Sequence, residues 1–135
     1  MRVITVSGNH SGIGKTTLVE HLLRQLRGWS ALKVTVIKKG PCPKEIPCGV
    51  CDEQKAPYVI IFDPKVINQK GKDTQRMASA GAKKVLWLKA TPGGLKDGLK
   101  QALRRFRATP GVVIEGTSIL KYLKPDFGIY IYGKG

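Results

Sequence analysis

The sequence predicts an α/β fold in three layers, with a mostly parallel sheet covered by helices on both faces. Three observations carry that expectation. Short apolar runs alternate with stretches of helical period along most of the chain. The apolar runs are near-continuous rather than alternating, as in strands buried on both faces. Strand then helix, repeated, is the pattern of parallel strands joined by right-handed crossovers. A length of 135 residues fits one such domain around one core.

Residues 3–7 read as the first strand, carried by Val3, Ile4 and Val6. Residues 14–26 read as a helix, with Leu18, Leu22, Leu23 and Leu26 on one face. Residues 33–38 form a second strand through Val34, Val36 and Ile37. Residues 40–56 hold three prolines and all the cysteines, and read as an irregular insertion. Residues 58–62 are an apolar strand ending at Asp63, and residues 73–81 a helix stopped by Gly81. A strand at 84–89 follows. The segment 95–107 is an amphipathic helix: Leu95, Leu99, Leu103 and Phe106 face the core, opposite Lys96, Lys100, Arg104 and Arg107. Strands at 111–115 and 127–132 complete the order.

Composition narrows the partners. Lys and Arg number 24 against 9 Asp and Glu, a net charge of +15. Such a chain prefers anions: nucleotides, phosphorylated cofactors, acidic proteins or nucleic acid. The charge is spread through the chain (Lys38, Lys39, Lys83, Lys84, Arg104, Arg105), which favours basic faces on a folded domain. No apolar run approaches the ~18 residues of a membrane span, and the chain opens directly on a strand, so a cytoplasmic protein with no membrane partner is expected.

The strongest motif is Ser7-Gly8-Asn9-His10-Ser11-Gly12-Ile13-Gly14-Lys15-Thr16-Thr17, between a strand and a helix. That is the context of a phosphate-binding P-loop. Gly8, Gly12 and Gly14 let the backbone turn its N–H groups inward, where a Cβ would crowd a phosphate. The helix start adds partial positive charge. Lys15 reaches toward the β- and γ-phosphates of GTP or ATP, and the Thr16 hydroxyl suits Mg²⁺. Five residues separate Gly8 from Gly14, one more than the common pattern, and Asn9 stands where the first glycine usually does. The expected architecture is therefore a P-loop NTPase fold.

Such a site needs an acid at a strand end to hold Mg²⁺ or its water. Asp63, after four apolar residues, and Glu115, after residues 112–114, both qualify. With Lys15 they are the candidate catalytic groups. Each could instead cap a turn, as Asp63-Pro64 does well, and Asp73 stands between a functional role and the N-cap of its own helix, which it suits. His21, inside the first helix, reads as a surface or packing residue. The sequence has no Asn-Lys-x-Asp guanine-reading motif, so ATP and GTP both stand.

Cys42, Cys48 and Cys51 give Cys-x5-Cys-x2-Cys. Cys48 and Cys51 have the spacing of a knuckle for Zn²⁺ or an iron–sulfur cluster. Three thiolates fall one short of a structural zinc set, and free thiols on a proline-stiffened loop are the plain alternative.

The loop resembles those of the P-loop class that includes the ParA/MinD, UreG/HypB and MobB proteins. Its length fits the ParA/MinD form, but His10 stands where their trans-acting lysine would be. Gly71-Lys72-Asp73-Thr74-Gln75-Arg76 with Ala80-Gly81-Ala82, and Ile114-Glu115-Gly116, resemble motifs of the molybdopterin-guanine dinucleotide biosynthesis protein B family (MobB). That resemblance spans most of the chain in the same order. It departs at Ile37-Lys38-Lys39-Gly40, where the family has Ile-Lys-His, and at the cysteine insertion. It implies a nucleotide-dependent homodimer, a slow GTPase or ATPase assisting molybdenum cofactor biosynthesis or metalloenzyme maturation. Two alternatives stand beside it. One is a basic nucleic-acid-binding module, against which no aromatic residues interleave with the basic helix stripe. The other is a metal-binding or redox switch on the cysteine loop.

Overall fold

Strands β1 (Arg2–Gly8), β2 (Ser30–Val36), β3 (Tyr58–Ile61), β4 (Val85–Ala90), β5 (Gly111–Glu115) and β6 (Phe127–Ile131) are joined by helices α1 (Lys15–Gln25), α2 (Pro64–Ile67), α3 (Asp73–Ser79) and α4 (Leu95–Arg104). The computed structural model describes residues 1–9, 14–37, 56–106, 108–116 and 118–133. The strands make one sheet in the order β3-β4-β2-β5-β1-β6. Every pairing is parallel except β3 with β4.

The chain travels from β1 past β5 to β2 and past β4 to the edge strand β3, doubles back to β4, then passes β2 to β5 and crosses β1 to reach β6. Crossovers of one hand in opposite directions need their helices on opposite faces. The two cores have that arrangement. On one face Val6, Val19, Leu23, Ala31, Met77 and Val113 gather under α1 and α3. On the other, Leu32, Val34, Leu86, Leu88, Leu95, Leu99, Phe106 and Ile114 gather under α4. Strand alternation divides the side chains between the faces, so Leu32 and Val34 go one way and Ala31 and Lys33 the other. Helix α4 lies close to the sheet at Gly98, where a Cβ would come within 2.8 Å of Leu88 Cδ1 and 3.1 Å of Tyr58 Cβ. No described helix is long and apolar enough to cross a membrane.

The α/β reading and the element order therefore hold, and several boundaries shift. Strand β2 begins at Ser30 rather than Lys33. Its first half pairs with β5 and β4, contacts that local apolar content does not reveal. Helix α3 ends at Ser79 rather than Gly81. Helix α4 ends at Arg104 because the Arg105 and Phe106 N–H groups tighten onto carbonyls three residues back, at 3.0 and 3.2 Å, while Lys84 Nζ takes the Arg105 carbonyl at 2.8 Å. The short helix α2, absent from the sequence reading, starts where Asp63 accepts from the Lys65 N–H at 2.9 Å with Pro64 in its first turn.

Leu88 is wholly buried on β4 beneath α4. Leu88→Ala is expected to cost about 2–5 kcal/mol in urea unfolding, the range for a buried leucine whose surroundings relax only in part.

Candidate functional site

One row of paired residues runs across the sheet, from Val6 on β1 through Glu115 on β5 and Lys33 on β2 to Trp87 on β4. Paired residues share a face, so Glu115 and Lys33 both lie under α1 and α3. Helix α1 begins beside this row, where its Thr16 meets Glu115. A carboxylate on a wholly buried strand end demands partners. Glu115, fully buried, receives two: Thr16 Oγ1 donates to Oε1 at 2.5 Å, and Lys33 Nζ donates to Oε2 at 2.6 Å. Lys33 Nζ also reaches Asp73 Oδ2, the first residue of α3, at 2.8 Å.

Helix α1 starts without a side-chain cap. Gly14 takes a left-handed conformation with φ of 94° and leads straight into Lys15. No acidic residue stands in its first turn. Its leading N–H groups and positive dipole end are thus directed toward a cavity of about 320 Å³ lined by Gly14, Lys15, Thr16, Thr17, Lys33, Asp73, Arg76 and Glu115. Lys15 and Thr16 are each only 8% exposed. A second cavity of about 300 Å³ shares Lys33 and Asp73 and extends over Trp87.

The charges are strongly interdependent. Burial, and then the nearby Lys33 ammonium, hold Lys15 below the ordinary lysine value, although Glu115 and Asp73 pull it up. Burial alone would lower Lys33 too, but the Glu115 and Asp73 carboxylates outweigh it and Lys33 is raised. Burial works to raise Asp73, and its bond to Lys33 reverses the balance, so its carboxyl is lowered. Arg76 donates to Thr17 Oγ1 at 3.1 Å and is paired with Glu20, which lies 3.8 Å from Arg24. Chemically, this is a concavity with two ammonium groups, the helix-start amides of α1, and paired hydroxyl and carboxylate oxygens. It suits an oxyanion together with a hard cation.

Gly14, Lys15, Thr16, Thr17 and Glu115 line one cavity, and buried Gly8 ends β1 just before them. Asn9, just past β1, is bonded to Gly133, just past the neighbouring end of β6: its side chain donates to the Gly133 carbonyl at 2.9 Å and accepts from the Gly133 N–H at 3.2 Å. His10, Ser11, Gly12 and Ile13, and the cysteines Cys42, Cys48 and Cys51, lie outside the described residues. Among the described residues no group of three or more His, Cys, Asp or Glu could hold a metal ion. His21 is exposed on α1.

Asp63 does not join the site. Because β3 runs antiparallel, its last residue Ile61 pairs with Trp87 and Asp63 continues toward the opposite edge of the sheet. Four strand spacings of ~4.8 Å also separate β3 from β1. Asp63 is exposed and caps α2, the plain alternative for that residue. Asp73 shifts the other way: Lys72 holds the cap position of α3, and Asp73 turns to Lys33. The sequence reading missed Lys33 entirely. Its signal was a lysine in phase with Ala31 and Thr35 on one face of a strand.

Comparisons with protein-family models, with curated proteins and with solved structures find no match to this chain.

A carboxyl lowered in the fold stabilises it above its unfolded value, about pH 4, and loses that contribution as pH falls through the folded value. Asp73→Asn is therefore expected to be less stable than wild type at pH 7, with a smaller deficit at pH 2, measured by urea unfolding. The deficit is expected to stay under about 1 kcal/mol, because Asp73 is 40% exposed. A deficit of equal size at both pH values would contradict the Lys33 pairing as its origin.

Proposed function

We propose that this chain is a P-loop nucleotide-binding protein that holds the polyphosphate of GTP or ATP on residues 8–17. One observation carries the reading: a buried lysine and a buried threonine open an uncapped helix behind a left-handed glycine, and the threonine is bonded to a strand-end carboxylate. A glycine-rich turn with only a structural task has no need to bury Lys15 at 8% exposure beside a second ammonium. A polyanion supplies the reason, since several charge-assisted hydrogen bonds of roughly 1.5–3 kcal/mol each converge there.

The donor set fits Mg²⁺ in kind. Thr16 Oγ1 and Glu115 Oε1 are hard oxygens at contact distance, and Mg²⁺ accepts one or two protein oxygens while phosphate and water complete its shell. Thr16 and Glu115 would hold the ion, whose chemistry is to neutralise charge on the transferring phosphoryl group. Lys15 would bind the outer phosphates, and the leading amides of α1 would orient them.

The pathway reading follows from the motif resemblance. Asp73, Arg76 and Glu115, which belong to the stretches resembling the molybdopterin-guanine dinucleotide biosynthesis protein B family, all line the cavity beside Lys15. That supports a nucleotide-dependent accessory role in molybdenum cofactor biosynthesis or metalloenzyme maturation, as a homodimer. Hydrolysis belongs to this reading as a slow step, because the cavity's arginine, Arg76, is committed to Glu20.

Mg-ATP or Mg-GTP at a hundredfold excess over its dissociation constant is expected to stabilise the fold by about 2.7 kcal/mol in thermal unfolding. Lys15→Ala is expected to abolish that shift. A variant that keeps the full shift would remove this site from the reading.

A further inference from the structure

Two carboxylates and one ammonium of the chain share the space beside the start of α1. Lys33 Nζ lies 2.6 Å from Glu115 Oε2 and 2.8 Å from Asp73 Oδ2, while Thr16 donates to the other Glu115 oxygen at 2.5 Å. A small divalent cation seeks this kind of environment, a hydroxyl oxygen and carboxylates within one small volume. Here the chain has put its own cation between the acids.

Lys33 is held there by the sheet. Its strand pairs with β5 on one side and β4 on the other, with Glu115 and Trp87 as its direct neighbours in the row. Its side chain is only 20% exposed. If the ammonium withdrew, Glu115 would stay fully buried with one neutral partner, an unfavourable state for a carboxylate. An ammonium has three donors. Glu115 and Asp73 take two, which leaves a third for an oxygen in the cavity that Lys33 lines.

The local charge count shows what Lys33 changes. The cavity wall carries Lys15, Lys33 and Arg76 against Asp73 and Glu115, and Arg76 shares Glu20 with Arg24 behind it. Without Lys33 the same wall would fall from net positive to neutral. It would then draw a bare polyphosphate less strongly and leave Glu115 and Asp73 without their shared cation.

Resting on the triphosphate reading above, we propose that Lys33, beside the Thr16 and Glu115 oxygens that would hold Mg²⁺, adds a fixed positive charge of the chain's own against the polyphosphate, so that a nucleoside triphosphate binds with little dependence on Mg²⁺. Lys33 is in this account a second phosphate-binding lysine beside Lys15, set by the sheet rather than by the loop.

The test is the dissociation constant of ATP and of GTP by calorimetry, each with Mg²⁺ and with EDTA. For the wild-type chain the EDTA value is expected to exceed the Mg²⁺ value by less than tenfold for the nucleotide that binds. A ratio of tenfold or more overturns the inference while leaving the triphosphate reading intact. Absence of wild-type binding under both conditions removes that reading and the inference with it. In Lys33→Met the EDTA affinity is expected to fall at least tenfold further than the Mg²⁺ affinity, while Lys33→Arg keeps the wild-type ratio. Equal losses under both conditions in Lys33→Met would mark Lys33 as structural and overturn the inference. If Lys33→Met gives no cooperative unfolding transition, the wild-type ratio decides alone.

Discussion

The wholly buried carboxylate of Glu115 fastens four elements together. It stands on β5, takes a hydroxyl from α1 and an ammonium from β2, and through that ammonium reaches the first residue of α3. Burying such a charge is unfavourable unless each oxygen is satisfied, and removing one partner of a buried pair typically costs about 3–5 kcal/mol. The start of α1 is thereby fixed over the end of β5, and Lys33 cannot leave without stranding Glu115. The concavity at the sheet's carboxyl edge, where open α/β sheets bind ligands, has its wall set by this one group.

The use of acids points the same way. The chain has only 9 Asp and Glu against 24 Lys and Arg. Glu20, Asp73 and Glu115 are all placed in ion pairs around the first turns of α1. Elsewhere basic side chains stand on exposed faces, as Lys96, Lys100 and Arg104 do on α4. A face of that kind attracts anions through the general field, whereas the α1 start offers directed amides and a buried lysine.

Much of this was legible from residue order. A glycine-rich turn between an apolar strand and an amphipathic helix identified the α1 start, because strand, loop and helix are all local patterns. Glu115 was legible as an acid at a strand end. Asp63 carried the same local signature and lies on the wrong edge, because an apolar run does not encode its direction in the sheet. The antiparallel pairing of Tyr58 with Ala90 decides that, and it is a long-range contact. Asp73 read as a helix cap because capping is a short-range preference, yet its partner Lys33 is forty residues earlier in the chain. Lys33 itself was hidden by starting β2 too late, which made an interior position look like a strand end.

The α1 start and its carboxylate partner are proposed here as a polyphosphate site. Amide NMR of ¹⁵N-labelled protein titrated with a purine triphosphate and Mg²⁺ tests it most directly. The largest shifts are expected at Gly14, Lys15, Thr16 and Thr17, with Lys33 and Glu115 following. Shifts confined to the basic face of α4, or none at saturating nucleotide, would contradict it.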